Sequence, residues 1–183
     1  ILGDNLFFGQ DLSNYLLKES AFSSGATIFA YAVNNPSNYG VIEFDKNFKA
    51  LKIEEKPKSP KSNYAITGLY FFDSKVVKYT KDLKPSKRGE LEVTDLHKIY
   101  LKNKELNISI LGRGSGWFDT GTFDSLYEAN SLIHTLEKRQ QLRIGYPEEV
   151  AWRKGWIDKN KLIKEAEKFS HNEYGQYLIN LIN

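Results

Sequence analysis

Two aspartates in this sequence sit where a carboxylate can meet a ligand. Asp4 lies in Leu-Gly-Asp-Asn after the apolar pair Ile1-Leu2, and Asp119 lies in Trp-Phe-Asp-Thr-Gly-Thr after a second strand-like run. In open α/β sheets ligands gather outside the carboxyl ends of strands, so strand ends that finish in Asp are candidates for one site. A pair of hard oxygen ligands suits Mg²⁺, which takes one or two carboxylates and completes its shell with phosphate oxygens and water. Taken singly, each Asp reads first as a turn or helix-start residue that bonds its own backbone. Lys56 in Ile-Glu-Glu-Lys-Pro and Arg88 in Ser-Lys-Arg-Gly-Glu are candidates for holding a phosphate, one as a point charge and the other as a bidentate fork. Either is also an ordinary solvated cation among 26 basic residues. Glu55 can accept hydrogen bonds from sugar hydroxyls or face water. Gly40 and Gly68 interrupt strand patterns, which marks a close approach of another group to the backbone, or a bulge.

Other chemistries find less support. His97, His134 and His171 lack metal-ligand spacing and read as structural or surface residues. No G-x-S-x-G, Walker loop or G-x-G-x-x-G is present. The absence of Cys removes disulfides, thiolate metal sites and a cysteine nucleophile. Tyr and Phe, 11 of each, fall at strand-core positions rather than alternating with Lys along a face, which argues against a stacking surface for single-stranded nucleic acid.

These residues need a scaffold, and 183 residues with 40% hydrophobic and 14% aromatic content can bury a core. Lys and Arg total 26 against 23 for Asp and Glu, a net charge of +3 spread over a mixed surface. That balance is a weak argument for nucleic acid and fits a phosphorylated small molecule. No apolar run approaches the ~20 residues of a membrane helix. The expectation is a cytoplasmic enzyme. The chain has no Met and opens on what reads as the tail of a strand, so a piece of a longer polypeptide is expected.

The pattern predicts a buried strand over 26–33, a hairpin from strands at 39–45 and 50–55, a basic loop over 56–63 and a strand over 64–72. A short helix from Ser74 to about Leu83 follows, then a helix through Leu91, Val93, Leu96, Ile99 and Tyr100. A strand over 106–111 precedes the glycine-punctuated loop at 112–116, and Thr122 caps a long helix to about Arg143. Alternating strands and helices mean an α/β fold. From Tyr146 three helical pieces are predicted at 147–154, 158–169 and from Ser170, where Ser170 and Glu173 fit a capping box. The expected division is 1–143 for the core and 144–183 for a helical tail used in regulation and oligomer contacts. Val150, Trp152, Trp156, Leu162, Ile163, Tyr177, Leu178 and Leu181 exceed what three short helices are expected to bury among themselves, which predicts packing on the core or another subunit.

The ordered set Leu-Gly-Asp-Asn, Tyr-Gly-Val-Ile-Glu-Phe, Ile-Glu-Glu-Lys-Pro, Asn-Tyr-Ala-Ile-Thr-Gly-Leu-Tyr-Phe-Phe-Asp, Arg-Gly-Glu-Leu-Glu-Val-Thr-Asp and Gly-Trp-Phe-Asp-Thr-Gly-Thr resembles the glucose-1-phosphate thymidylyltransferase family. The resemblance continues through Glu137-Lys138-Arg139-Gln140 and Pro147-Glu148-Glu149 and so covers essentially the whole chain. It implies a Rossmann-like mixed sheet, assembly as a homotetramer, and Mg²⁺-dependent transfer of a nucleoside monophosphate from dTTP to glucose 1-phosphate. It carries over Asp4 and Asp119 as the metal pair, Tyr39, Gly40, Glu55, Lys56 and Arg88 as sugar-phosphate contacts, and Ile66 and Trp117 as pocket walls. It also implies a second site for dTDP-sugars at Phe8, Gly9, Arg113, Glu149 and Arg153, with Phe8 standing where Tyr is often found. The family's triphosphate loop would lie before Ile1, so the chain alone is expected to be inactive. Competing expectations are a sister enzyme using UTP or ATP and a non-catalytic module that binds nucleotide sugars.

Overall fold

The computed structural model describes residues 1–9, 12–21, 24–140 and 143–182. Two compact units divide between Ala129 and Asn130, inside one long helix, upstream of the 143/144 boundary expected from sequence.

The first unit is built on a five-stranded mixed sheet. Its strands are β2 (Ala26–Ala32), β3 (Gly40–Phe44), β4 (Ala50–Glu55), β5 (Tyr64–Phe72) and β6 (Leu106–Ile110), in the order β4-β3-β5-β2-β6. All neighbours are antiparallel except β2 and β6, which run parallel. The near-continuous apolar run of β2 is explained by burial on both faces. Ile28 and Ala30 join Ile42, Ile53 and Ile66 on one face, while Phe29 packs with Leu69, Leu111, Phe7, Tyr15 and Leu16 on the other. The second face is covered partly by α1 (Leu12–Ser20), a helix that the sequence reading did not anticipate.

Helices α2 (Val76–Lys81) and α3 (Val93–Lys102) form where helices were expected. Leu96 and Tyr100 of α3 pack against Ala26 and Phe72. Asp45 terminates β3 by accepting from the backbone N–H groups of Asn47 and Lys49, which closes the predicted hairpin.

The ends of the unit differ from the expectation. Ile1 and Leu2 do not end a strand, because the chain turns at once, with the Asn5 N–H donating to the Leu2 carbonyl at 3.3 Å. The strand follows Asp4 instead: β1 (Asn5–Phe8) pairs antiparallel with β7 (Gly116–Asp119) in a separate two-stranded ribbon. Past β7, α4 (Phe123–Gln140) is capped by Thr122, whose Oγ1 accepts from the Ser125 N–H at 3.2 Å.

The second unit adds α5 (Pro147–Arg153), α6 (Lys159–Glu167) and α7 (Glu173–Asn180). It buries more of its apolar surface by itself than the sequence suggested. Leu162, Ala166 and Leu178 are fully buried, with Trp152, Tyr177 and Leu181 packed around them, whereas Val150 and Trp156 stay exposed. The start of α7 is capped by Asn172, not Ser170: Asn172 Oδ1 accepts from the N–H groups of Tyr174 and Gly175. Asn is as good an N-cap as Ser, and here it stands at the position where the backbone is already extended. Among the described residues, no helix is long and apolar enough to cross a membrane.

His97 is the one histidine taken into the core, fully buried and stacked on Phe72 at 5.7 Å with Tyr70 at 4.8 Å on its other contact. Burial disfavours its charged form and holds its pKa down at about 3. The unfolded chain takes up that proton near pH 6.5, so unfolding is favoured as the pH falls from there towards 3. We expect this group alone to cost up to about 1.4 kcal/mol of stability per pH unit in that window. Chemical denaturation at a series of pH values should show a slope shallower by about one proton in His97→Gln than in the wild type.

Candidate active site

The β1–β7 ribbon sets the register Asn5↔Asp119, which brings together residues from opposite ends of the first unit. Thr120 reinforces it, donating both its N–H and its hydroxyl to the Asp4 carbonyl at 2.8 Å. Asp4 and Asp119 therefore stand beside each other through antiparallel pairing of a ribbon, not as two strand ends on one edge of the main sheet. Gly121 lies between their carboxylates. A Cβ there would sit 3.3 Å from Asp119 Oδ1 and 3.9 Å from Asp4 Oδ2, so the missing side chain leaves both oxygens bordering one small space.

The ribbon is fastened to β5 at Gly68. The Leu2 N–H donates to the Gly68 carbonyl at 2.8 Å, and the Gly68 N–H donates to Asn5 Oδ1 at 2.9 Å. The same oxygen accepts from Trp117 Nε1 at 2.6 Å. Sequence reading marked Gly68 and Gly40 as points of close approach, and both are. A methyl on Gly40 would come within 2.7 Å of Thr94 Cγ2 and 3.3 Å of Glu55 Oε2.

Between the ribbon and β3, β4 and β5 opens a cavity of about 360 Å³. Tyr39, Gly40, Glu55, Lys56, Ile66 and Arg88 line it, and Trp117 and Asp119 close the ribbon side. Asp4 borders the space beside Gly121 rather than the cavity lining. Trp117, only 8% exposed, is held between Tyr31 and Tyr39, and its indole N–H is committed to Asn5. Burial, and secondarily the charges of Asp119 and Glu128, raise the Tyr39 pKa.

The two cations of the cavity differ. Arg88 is shared among Glu90 at 2.9 Å, Glu92 at 3.5 Å and Glu55 at 3.6 Å. Glu92 is itself fixed by the Ser86 hydroxyl at 2.8 Å. Lys56 makes no ion pair among the described residues, and its backbone adopts φ +40°, a left-handed conformation uncommon outside glycine. Its N–H donates to the Tyr39 carbonyl at 3.0 Å, which ties the end of β4 to the residue before β3. Among the described residues no cluster of three or more acids or histidines is arranged to hold a metal. Two carboxylates across an open space fit a partly hydrated Mg²⁺ better than a fully enclosed ion.

The residues assigned by resemblance to a second site divide between the units. Phe8 ends β1 opposite Gly116, Gly9 follows it close against Ser115, and Arg113 is exposed in the loop before β7. In the second unit Glu149 is buried and both its oxygens are engaged, by Arg153 Nε and the Tyr177 hydroxyl, each at 2.7 Å.

Sequence reasoning passed over Asn5, Thr94 and Glu92. Asn5 reads as part of a turn motif and Thr94 as the start of a helix, because the residues they meet, Gly68 and Trp117 for one and Gly40 for the other, come from distant strands. Glu92 meets Ser86 and Arg88 of its own loop, a contact that no spacing in the sequence announces.

A family model described as nucleotidyl transferase matches residues 1–135. A glucose-1-phosphate thymidylyltransferase from Neisseria meningitidis is 50% identical over 182 residues, covering 100% of this chain and 63% of that protein. One from Mycobacterium tuberculosis shows the same identity and the same shares. The chain thus spans 63% of the length of these curated relatives. A crystal structure from Bacillus anthracis, described as a glucose-1-phosphate thymidylyltransferase in complex with a sucrose, superposes with a TM-score of 0.63 at 45% identity, over 72% of this chain and 52% of that one. A UDP-glucose pyrophosphorylase complexed with UDP-glucose shares the fold at a TM-score of 0.64 and 22% identity, over 74% of this chain and 55% of that one.

Because the ribbon is fastened at Gly68, Gly68→Ala is expected to disturb site and stability together. Its Cβ would lie 2.6 Å from Asn5 Cγ and Oδ1 and 2.9 Å from Leu2 Cβ. We expect a loss of roughly 1–3 kcal/mol in urea denaturation, accompanied by a change in tryptophan emission as the Asn5–Trp117 bond is displaced.

Proposed function

From a chain that belongs to the nucleotidyl transferase family, we propose the sugar-phosphate and metal part of a glucose-1-phosphate thymidylyltransferase. The proposed reaction joins dTTP and glucose 1-phosphate into dTDP-glucose and pyrophosphate. The observation that carries this reading is the cavity that holds Lys56, Glu55 and Tyr39 next to Asp119, on a chain 50% identical to relatives of that name.

In the proposed reaction an oxygen of the glucose 1-phosphate forms a bond to the α-phosphorus of dTTP. The bond from that phosphorus to the bridging oxygen breaks, and its electron pair leaves with pyrophosphate. The attacking oxygen already carries charge, so no protein nucleophile or strong base is needed, and the work is positioning and charge neutralisation. Asp4 and Asp119 would hold Mg²⁺, which supplies charge neutralisation to the reacting phosphates. Lys56, the cation without an ion pair among the described residues, meets the sugar's phosphate. Arg88 reaches the same phosphate by giving up one of its carboxylates, and Glu90, the most exposed of the three, is the one it releases. Glu55 accepts from sugar hydroxyls beside Gly40, while Ile66 and the Trp117 face bound the sugar ring.

The relatives are longer than the stretch this chain spans, and we assign the grip on the triphosphate and base to that further length. The dTDP-sugar site, the homotetramer and a cytoplasmic location belong to the same proposal. An enzyme that uses UTP or ATP is distinguished by the nucleotide that supports turnover.

Two assays test the reading by following pyrophosphate release from dTTP, glucose 1-phosphate and Mg²⁺. In a polypeptide of the relatives' length that contains this chain, Asp119→Asn is expected to lower turnover by on the order of 10²–10³-fold, and Lys56→Ala is expected to act mainly through the glucose 1-phosphate KM. The 183-residue chain alone is expected to give no turnover. Comparable rates from the short chain, or an Asp119→Asn variant as fast as the wild type, would overturn the assignment.

A further inference from the structure

The side chain of Asn5 makes three hydrogen bonds to three different parts of the site. Its Oδ1 accepts from the Gly68 N–H at 2.9 Å and from Trp117 Nε1 at 2.6 Å, and its Nδ2 donates to Asp4 Oδ1 at 3.0 Å. The orientation of the amide follows from its neighbours. Two N–H donors converge on one end, which must be the carbonyl oxygen, and a carboxylate faces the other, which must be the NH₂. A flipped amide would oppose donor to donor and oxygen to carboxylate.

We propose that Asn5 is a positioning residue that couples the Asp4 carboxylate to the Trp117 wall of the cavity. This inference rests on the functional reading above, in which Asp4 is a metal ligand and Trp117 bounds the sugar. With Oδ1 of Asp4 held by the amide, its Oδ2 is the oxygen left bordering the space at Gly121 that Asp119 Oδ1 also borders. The Trp117 ring is held by the same amide between Tyr31 and Tyr39. One side chain thereby sets both the metal-facing oxygen and the sugar-facing wall, and a change at either is felt at the other. Groups that orient a ligand from behind in this way typically contribute 10–100-fold to affinity or activity.

Asn is the residue type that meets these demands. Asp at this position would still accept from Gly68 and Trp117 but would lose the donor to Asp4. Ala would lose both functions. The pair Asn5→Asp and Asn5→Ala thus separates holding the ribbon in place from orienting Asp4.

The test follows the Trp117 indole ¹H–¹⁵N resonance in the full chain, assigned by its loss in Trp117→Phe. In metal-free protein it is expected to stay near its wild-type position in Asn5→Asp and to move in Asn5→Ala. Mg²⁺ is expected to shift it in the wild type, through Asn5, and to leave it unshifted in Asn5→Asp. In the active longer polypeptide, Asn5→Asp is expected to lower kcat by about 10–100-fold with little change in the glucose 1-phosphate KM. Wild-type kcat in Asn5→Asp, or a Mg²⁺-induced indole shift that persists in that variant, would overturn the inference. If Mg²⁺ moves no resonance of the wild-type protein at all, the metal reading falls and takes this inference with it. That outcome is distinct from Mg²⁺ binding with the Trp117 resonance silent, which overturns the role of Asn5 alone.

Discussion

The antiparallel register that sets Asn5 opposite Asp119 is the constraint on which the rest of this site depends. A ribbon of two four-residue strands has little stability of its own, so it must be held from outside. The fastening is at Gly68, where a bare backbone admits Asn5 and Leu2 to a distance no side chain would permit. Through that contact the ribbon delivers Trp117 and Asp119 to a cavity whose other walls come from β3, β4, β5 and the turn before α3. The main sheet builds the floor, and the ribbon decides where the two aspartates stand.

The electrostatics of the cavity follow from the same arrangement. Glu55, Glu90 and Glu92 crowd Arg88 and leave its charge divided, while Lys56 is carried on a left-handed backbone turn at the end of β4 without a counter-ion among the described residues. Of the three Arg88 pairs only the one to Glu90 is open to water on both sides, and an ion pair of that kind is worth little. Arg88 can exchange that carboxylate for a phosphate at small cost. On the proposed function, Lys56 is the standing anion site and Arg88 the adjustable one.

Much of the fold was legible because the hydrophobic pattern is local: the apolar run of β2 and the spacing along α3 each follow from burial of their own residues. Gly40 and Gly68 were legible as interruptions of strands, which is how a close approach shows itself in sequence. The ribbon was not, because four residues are too few to display a period, and its pairing joins chain segments that no local rule connects. Asn5 was hidden for the same reason, its three partners lying at positions 4, 68 and 117. The Ser170 capping box failed because Asn172 offers an equivalent cap two residues further on, directly before the helix. The helical tail was expected to need outside cover, yet Leu162 and Leu178 find it within the tail itself.

The central claim is that the aspartate pair and the Lys56 cavity form one site, in which a divalent metal and a sugar phosphate bind side by side. It is tested most directly by replacing Mg²⁺ with paramagnetic Mn²⁺ and measuring ³¹P relaxation of glucose 1-phosphate in the presence of the protein. The account predicts strong protein-dependent broadening of the phosphorus resonance, abolished in Asp4→Asn and Asp119→Asn, and weakened in Lys56→Ala as the sugar phosphate is lost. Broadening that persists in both aspartate variants, or a sugar phosphate bound by the wild-type protein whose resonance Mn²⁺ leaves sharp, would contradict it.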